Sequence, residues 1–119
     1  MLTVEKKQVG DFSIVEMEGR ITLGRECQQV EWAVDDLVKE NAKKIVLDLS
    51  NVNFLDSTGI GIIVMCAGKA KVAKCELLVA GAKGIVEQTL QLTNVDKIVP
   101  MHTDTDAAMN WSRARAAAV

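Results

Sequence analysis

The residues best suited to chemistry lie together in Asp56-Ser57-Thr58-Gly59, a carboxylate and two hydroxyls ahead of a glycine. They separate two of the most apolar runs in the chain. Lys44-Ile45-Val46-Leu47-Asp48-Leu49 comes before, and Ile60 to Ala67 follows with almost no polar side chain. This order predicts a strand, a turn and a buried helix, with Asp56, Ser57 and Thr58 at the positive end of the helix dipole. Two compatible roles follow. Asp56 or Ser57 caps the helix by accepting from its free N–H groups. Ser57, with Thr58 as the alternative, accepts a phosphate, which a helix N-terminus tolerates and which adds about −1.5 to −2 charges.

Other chemistry finds little support. Asp48 is a second acceptor candidate, since open α/β sheets place functional groups near strand ends. A phosphoaspartate receiver also needs acidic metal ligands by an earlier strand, and Met17-Glu18-Gly19-Arg20 supplies a single acid. No G-x-x-x-x-G-K-[ST] loop is present, and Gly59-x-Gly61 is followed by Val64 where a dinucleotide fingerprint needs glycine. Ser57 lies outside a G-x-S-x-G elbow, and the single histidine, His102, is expected in a surface loop. Cys27, Cys66 and Cys75 have no C-x-x-C spacing and are expected as reduced thiols, in the core or half-buried, with no metal site. The expectation is a binding module with no cofactor, not an enzyme.

The elements that must position the turn are readable in outline. Leu2 to Val9 and Phe12 to Glu18 alternate around Gly10-Asp11, a hairpin ended by Gly19-Arg20. A helix is expected from about Arg25 to Glu40, with Val30, Ala33, Val34, Leu37 and Val38 inward. Ile45 to Leu49 reads as a central strand buried on both faces, and Ser50-Asn51-Val52-Asn53 as loop. The next helix runs from Ser57 to about Ala73, buried on more than one side, and Gly59 and Gly61 imply close backbone approach. Cys75 to Ala80 is a strand, Lys83 to Leu92 a helix carrying Ile85, Val86 and Leu90 inward, and Lys97-Ile98-Val99 a last edge strand before Pro100. Thr103 to Asp106 opens a final helix with Ala107, Ala108 and Trp111 on one side, and Ala114 to Val119 is expected to fray. The fold class is therefore α/β, a mixed, mostly parallel sheet of about five strands with about four helices, in one domain over residues 1–119.

Net charge −2 and a pI near 5.4 argue against a nucleic-acid surface. The Lys69, Lys71, Lys74 group reads as a solvated helix face. The N-terminal residues have no signal-like apolar run, which sets the expectation of a cytoplasmic chain without membrane insertion.

Lys44 to Gly61, with Phe54-Leu55-Asp56-Ser57-Thr58-Gly59 at its centre, resembles the signature of STAS domains, most closely the bacterial anti-sigma factor antagonists. The likeness extends to Gly19-Arg20-Ile21, Leu90-x-Leu92-Thr93-Asn94-Val95-Asp96 and Asp106-Ala107-Ala108. The resemblance implies a partner switch. Ser57 would be phosphorylated by an anti-sigma factor serine kinase and restored by a PP2C-type phosphatase, and only the dephosphorylated form would bind the kinase and free its sigma factor. It places Thr22, Asp56, Ser57, Thr58, Gly59, Ile60 and Gly61 at the partner surface. Thr22 stands where many members carry an acidic residue. A stressosome-like scaffold or the STAS subunit of a lipid ABC transporter, without the phospho-switch, is the alternative role.

Overall fold

The computed structural model describes residues 1–118. A hairpin opens the fold: β1 (Leu2–Val9) and β2 (Phe12–Ile21) run antiparallel, with Val9 opposite Phe12 and the tight connection made by Gly10-Asp11. Three parallel strands follow, β3 (Lys44–Leu55), β4 (Glu76–Ala80) and the two-residue β5 (Met101–His102). The sheet order is β1-β2-β3-β4-β5. Each parallel neighbour is reached through a helix: α1 (Arg25–Lys39), α2 (Ser57–Val72) and α3 (Gly84–Leu92), and α4 (Thr105–Ala117) closes the chain. This is the mixed α/β sheet that the sequence predicts.

Strand alternation divides the core between the two faces of the sheet. Val15, Met17, Ile45, Leu47 and Val79 pack with Val30, Val34, Ile63, Cys66 and Leu90 of α1, α2 and α3. Phe12, Ile14, Val46, Leu78 and Ala80 point the other way and meet Ala108 and Met109 of α4. The central strand is buried on both faces as expected, because Ile45, Val46 and Leu47 are all fully covered.

Several boundaries differ from the sequence reading. β2 does not stop at Gly19 but continues to Ile21, and β3 runs through Ser50 to Asn53, which the sequence presents as loop. The cause lies in the pairing: the β2–β3 register shifts between Glu16 and Glu18 and again between Gly19 and Arg20, and each shift leaves an extra residue in β3. Such bulges break the two-residue alternation that identifies a strand. Lys97-Ile98-Val99 is not a strand. Asn94 turns left-handed (φ 63°), Val95–Lys97 forms a 3-10 turn, and pairing with β4 begins only after Pro100.

Helix faces also differ in part. In α3 Val86 and Leu90 are buried but Ile85 is 55% exposed, and in α4 the buried residues are Ala108, Met109 and Ser112 rather than Trp111. α2 leaves a stripe of Gly61, Met65, Gly68 and Val72 exposed, so it is not covered all round. The helix α4 continues to Ala117, past the point where fraying is expected, and Val119 lies outside the described residues.

Candidate functional site

The extension of β3 carries the chain to the edge of α2 without slack. Asp56 is in an extended conformation (φ −93°, ψ −177°) and is the N-cap of α2. One carboxylate oxygen, Oδ1, accepts the Gly59 N–H at 2.8 Å, and Oδ2 accepts the Leu23 N–H at 2.9 Å from the β2–α1 turn. The Asp56 N–H in turn donates to the Ile21 carbonyl at 3.3 Å. A single residue thus caps the helix and ties it to the end of β2. The Gly59 and then the Leu23 N–H hold the Asp56 carboxyl below the usual aspartate range, because both bonds favour its ionised form.

With Asp56 as the cap, Ser57 is left over. It is exposed at the first position of α2, and its hydroxyl has no hydrogen-bond partner among the described residues. Thr58 beside it is also exposed. Ile60 is half-buried, and Gly61 is exposed, with open space where a Cβ would stand. Gly59 has a different task. It is buried, and a Cβ there would overlap the Ile21 carbonyl oxygen, so the close approach its sequence position implies is made within the chain. Thr22 is half-buried and its hydroxyl donates to Glu26 Oε1 at 3.3 Å. Glu26, the acid in the first turn of α1, thus stands beside Thr22.

Sequence reasoning missed three neighbours of this turn. Leu23 is 74% exposed while its N–H bonds Asp56. The guanidinium of Arg20 lies 4.7 Å from the centre of the Phe54 ring, its partner in the β2–β3 register. Glu26 is the third. Leu23 and Arg20 reach their partners across more than thirty residues, whereas Glu26 meets Thr22 locally; a local signal is Gly24, whose φ of 107° marks a tight turn after Leu23.

The remaining candidates lie elsewhere. Asp48 is inside β3 rather than at its end, and its Oδ1 accepts both the N–H and the hydroxyl of Ser50. His102 is not in a surface loop: it sits half-buried in β5, its ring 5.0 Å from that of Trp111, and burial pushes its pKa down. Cys27, Cys66 and Cys75 are buried free thiols, as expected. Burial pushes each thiol up, Cys66 to about 12, which makes them poor nucleophiles. Lys69 departs from the solvated face assigned to it, since it bridges α2 to Glu31 (2.6 Å) and Asp35 (3.0 Å) of α1. No cluster of His, Cys, Asp or Glu suited to a metal occurs among the described residues.

The STAS domain model matches residues 3–108, from β1 into α4 and through the whole Asp56 turn. This chain belongs to the STAS family. Among relatives of this STAS chain, a Thermotoga maritima protein provisionally named an anti-sigma factor antagonist is 29% identical over 85 residues, which cover 71% of this chain and 75% of the relative. A crystal structure of a T. maritima protein with the same provisional name superposes with a TM-score of 0.85 at 26% identity, covering 92% of this chain and 94% of that one. An anti-sigma factor antagonist from Mycobacterium paratuberculosis gives 0.83 at 25% identity, with 95% of both chains covered. SpoIIAA in its unphosphorylated form shares the fold, with a TM-score of 0.69 at 13% identity over 95% of this chain and 98% of that one. Among the described residues, no helix is long and apolar enough to cross a membrane.

Proposed function

We propose that this STAS chain is an anti-sigma factor antagonist, a binding module switched by phosphorylation of Ser57. The observation that carries the reading is the division of labour at the turn. Asp56 does the capping, so the Ser57 hydroxyl is free to be modified without loss of a structural bond. The names of the relatives agree with it, and SpoIIAA, whose likeness is one of fold, has been solved in phosphorylated as well as unphosphorylated form.

In this reading the dephosphorylated chain binds an anti-sigma factor serine kinase through Thr22, Asp56, Ser57, Thr58, Ile60 and Gly61, with the exposed Leu23 at the rim. Gly59 serves the surface from beneath by seating α2 on β2. Phosphorylation adds a second negative group next to the Asp56 carboxylate. Placed in a close interface, that charge is expensive to desolvate unless a cation meets it, so the kinase is released and recaptures its sigma factor. A PP2C-type phosphatase restores the hydroxyl. The chain itself contributes no catalytic group.

The test is incubation with the cognate kinase and ATP, followed by mass spectrometry and titration of binding. Ser57→Ala is expected to bind the kinase but remain unmodified, and Ser57→Asp to bind at least about tenfold more weakly. The reading fails if Ser57 stays unmodified and Ser57→Asp binds like the natural chain. Phosphate found on Thr58 instead would move the acceptor by one residue. Copurification with an ATP-binding transporter subunit or a scaffold assembly, with no phosphate at the turn, would favour the constitutive role.

A further inference from the structure

α2 has a second end, roughly 20 Å from Ser57 given its span. There the last turns of α2, the start of β4, the segment before β5 and the end of α4 enclose a groove of about 670 Å³. Its floor is apolar, formed by Val64, Ala67, Leu77, Val99 and Pro100, and Ile98 stands 57% exposed at one side. Lys71 and Lys74 also line the groove, both exposed and neither within 4.0 Å of a carboxylate among the described residues. The one acid in the lining, Glu76, is already engaged by Arg115 at 3.1 Å and by the Ser112 hydroxyl. Lys43, also exposed, stands close by, its carbonyl accepting the Glu76 N–H. The groove therefore presents unneutralised positive charge beside apolar surface, on a chain whose net charge is −2.

Lys74 is held there in an unusual way. α1, α2 and α3 each end with a left-handed residue, at Asn41 (φ 63°), Lys74 (φ 59°) and Asn94 (φ 63°). Around Lys74 the Cys75 N–H bonds the Ala70 carbonyl at 2.8 Å and the Lys74 N–H bonds the Lys71 carbonyl at 3.1 Å. Glycine fits that position without steric cost, and asparagine tolerates it. A lysine there keeps a cation at the groove at the expense of backbone comfort.

We propose that this groove is a second docking surface, fitted to an acidic segment with apolar side chains from a partner protein and independent of the Ser57 switch. The apolar floor takes the side chains, and Lys43, Lys71 and Lys74 meet the carboxylates. An anionic bilayer matches the charge but not the shape, because the apolar surface lies in a concavity and the chain as a whole is negative.

The experiment is an NMR titration of the isotopically labelled full chain with three probes: a peptide alternating Glu-Glu with Leu-Leu, the same peptide with Lys for Glu, and vesicles of equal parts phosphatidylcholine and phosphatidylserine. Only the acidic peptide is expected to shift the amides of Val64, Lys71, Lys74, Leu77 and Ile98, with an affinity that falls as NaCl is raised. Lys71→Glu with Lys74→Glu is expected to weaken it about tenfold or more, while Ser57→Asp leaves it unchanged. No shifts at the groove, equal shifts with the Lys peptide, or a response to vesicles in place of the acidic peptide would each overturn the proposal. A response abolished by Ser57→Asp would overturn the independence from the switch.

Discussion

Two residues hold the Asp56 turn in place by different means, and each predicts its own measurement. Asp56 acts through charge and geometry together. Its carboxyl is lowered by the N–H groups of Gly59 and Leu23, so its ionised form stabilises the fold at pH values above that of an ordinary aspartate, about 3.9. The contribution is lost as pH falls through the lower native value. Asp56→Asn keeps a capping oxygen but not the charge. The excess in Tm of the natural chain over this variant should therefore be full near about pH 5 and vanish towards about pH 2. A difference that does not change across that range would mean that the carboxylate is not favoured by its bonds. Gly59 acts through absence. A methyl group there overlaps the Ile21 carbonyl, a backbone atom that cannot rotate away. Gly59→Ala should cost about 1–3 kcal/mol in denaturant unfolding, whereas Gly61→Ala, with open space at its Cβ, should be neutral or slightly stabilising through helix propensity.

At the scale of elements, the ends of the helices carry the more informative departures. Lys74→Gly should raise stability by about 1 kcal/mol, seen as a higher midpoint in urea, because it relieves a left-handed side-chain residue. A lower midpoint would show that the lysine stem packs productively in place. How much of the fold could be read from the sequence follows a similar logic of local against distant contacts. α1 was legible because Val30, Ala33, Val34 and Leu37 repeat at helical spacing and all four are buried. A capped start of α2 was legible because strand, polar turn and apolar helix are contiguous, although the sequence left the cap open between Asp56 and Ser57. β3 beyond Leu49 was not, since its extra residues are accommodated by bulges against β2 that are set by pairing and not by local pattern. The strand placed before Pro100 failed because Ile98 and Val99 are β-branched yet follow a left-handed Asn94 and a 3-10 turn. The placement of Asp56 and Ser57 at the start of α2 was legible, but the Leu23 N–H that reaches Asp56 comes from a turn thirty-three residues away in sequence. Trp111 looked like core on hydrophobicity alone. It instead covers His102 at the margin of the sheet.

For the whole molecule, burial is unequal on the two sides of the sheet. α1, α2 and α3 share one large core, whereas α4 seals its face through Ala108, Met109 and Ser112 and pairs with a sheet margin only two residues long. Amides of α4 and β5 should therefore exchange with deuterium well before those at the centre of β2 and β3, read by mass spectrometry of the intact and peptic-digested chain. Uniform protection across these elements would contradict a weaker α4 layer. The larger core lies on the side of α2, which begins at the Asp56 turn, where Asp56 bonds Ile21 through its backbone and Leu23 through its carboxylate. That placement has a consequence for tempo. If Ser57 is the acceptor, as proposed above, a turn pinned at both its backbone and its side chain has no slow rearrangement to complete when a phosphoryl group arrives or leaves, and a partner meets its final shape at once. Under the proposed switch, the response time is set by the turnover of the modifying enzymes and by the partner's dissociation, and this chain adds no lag.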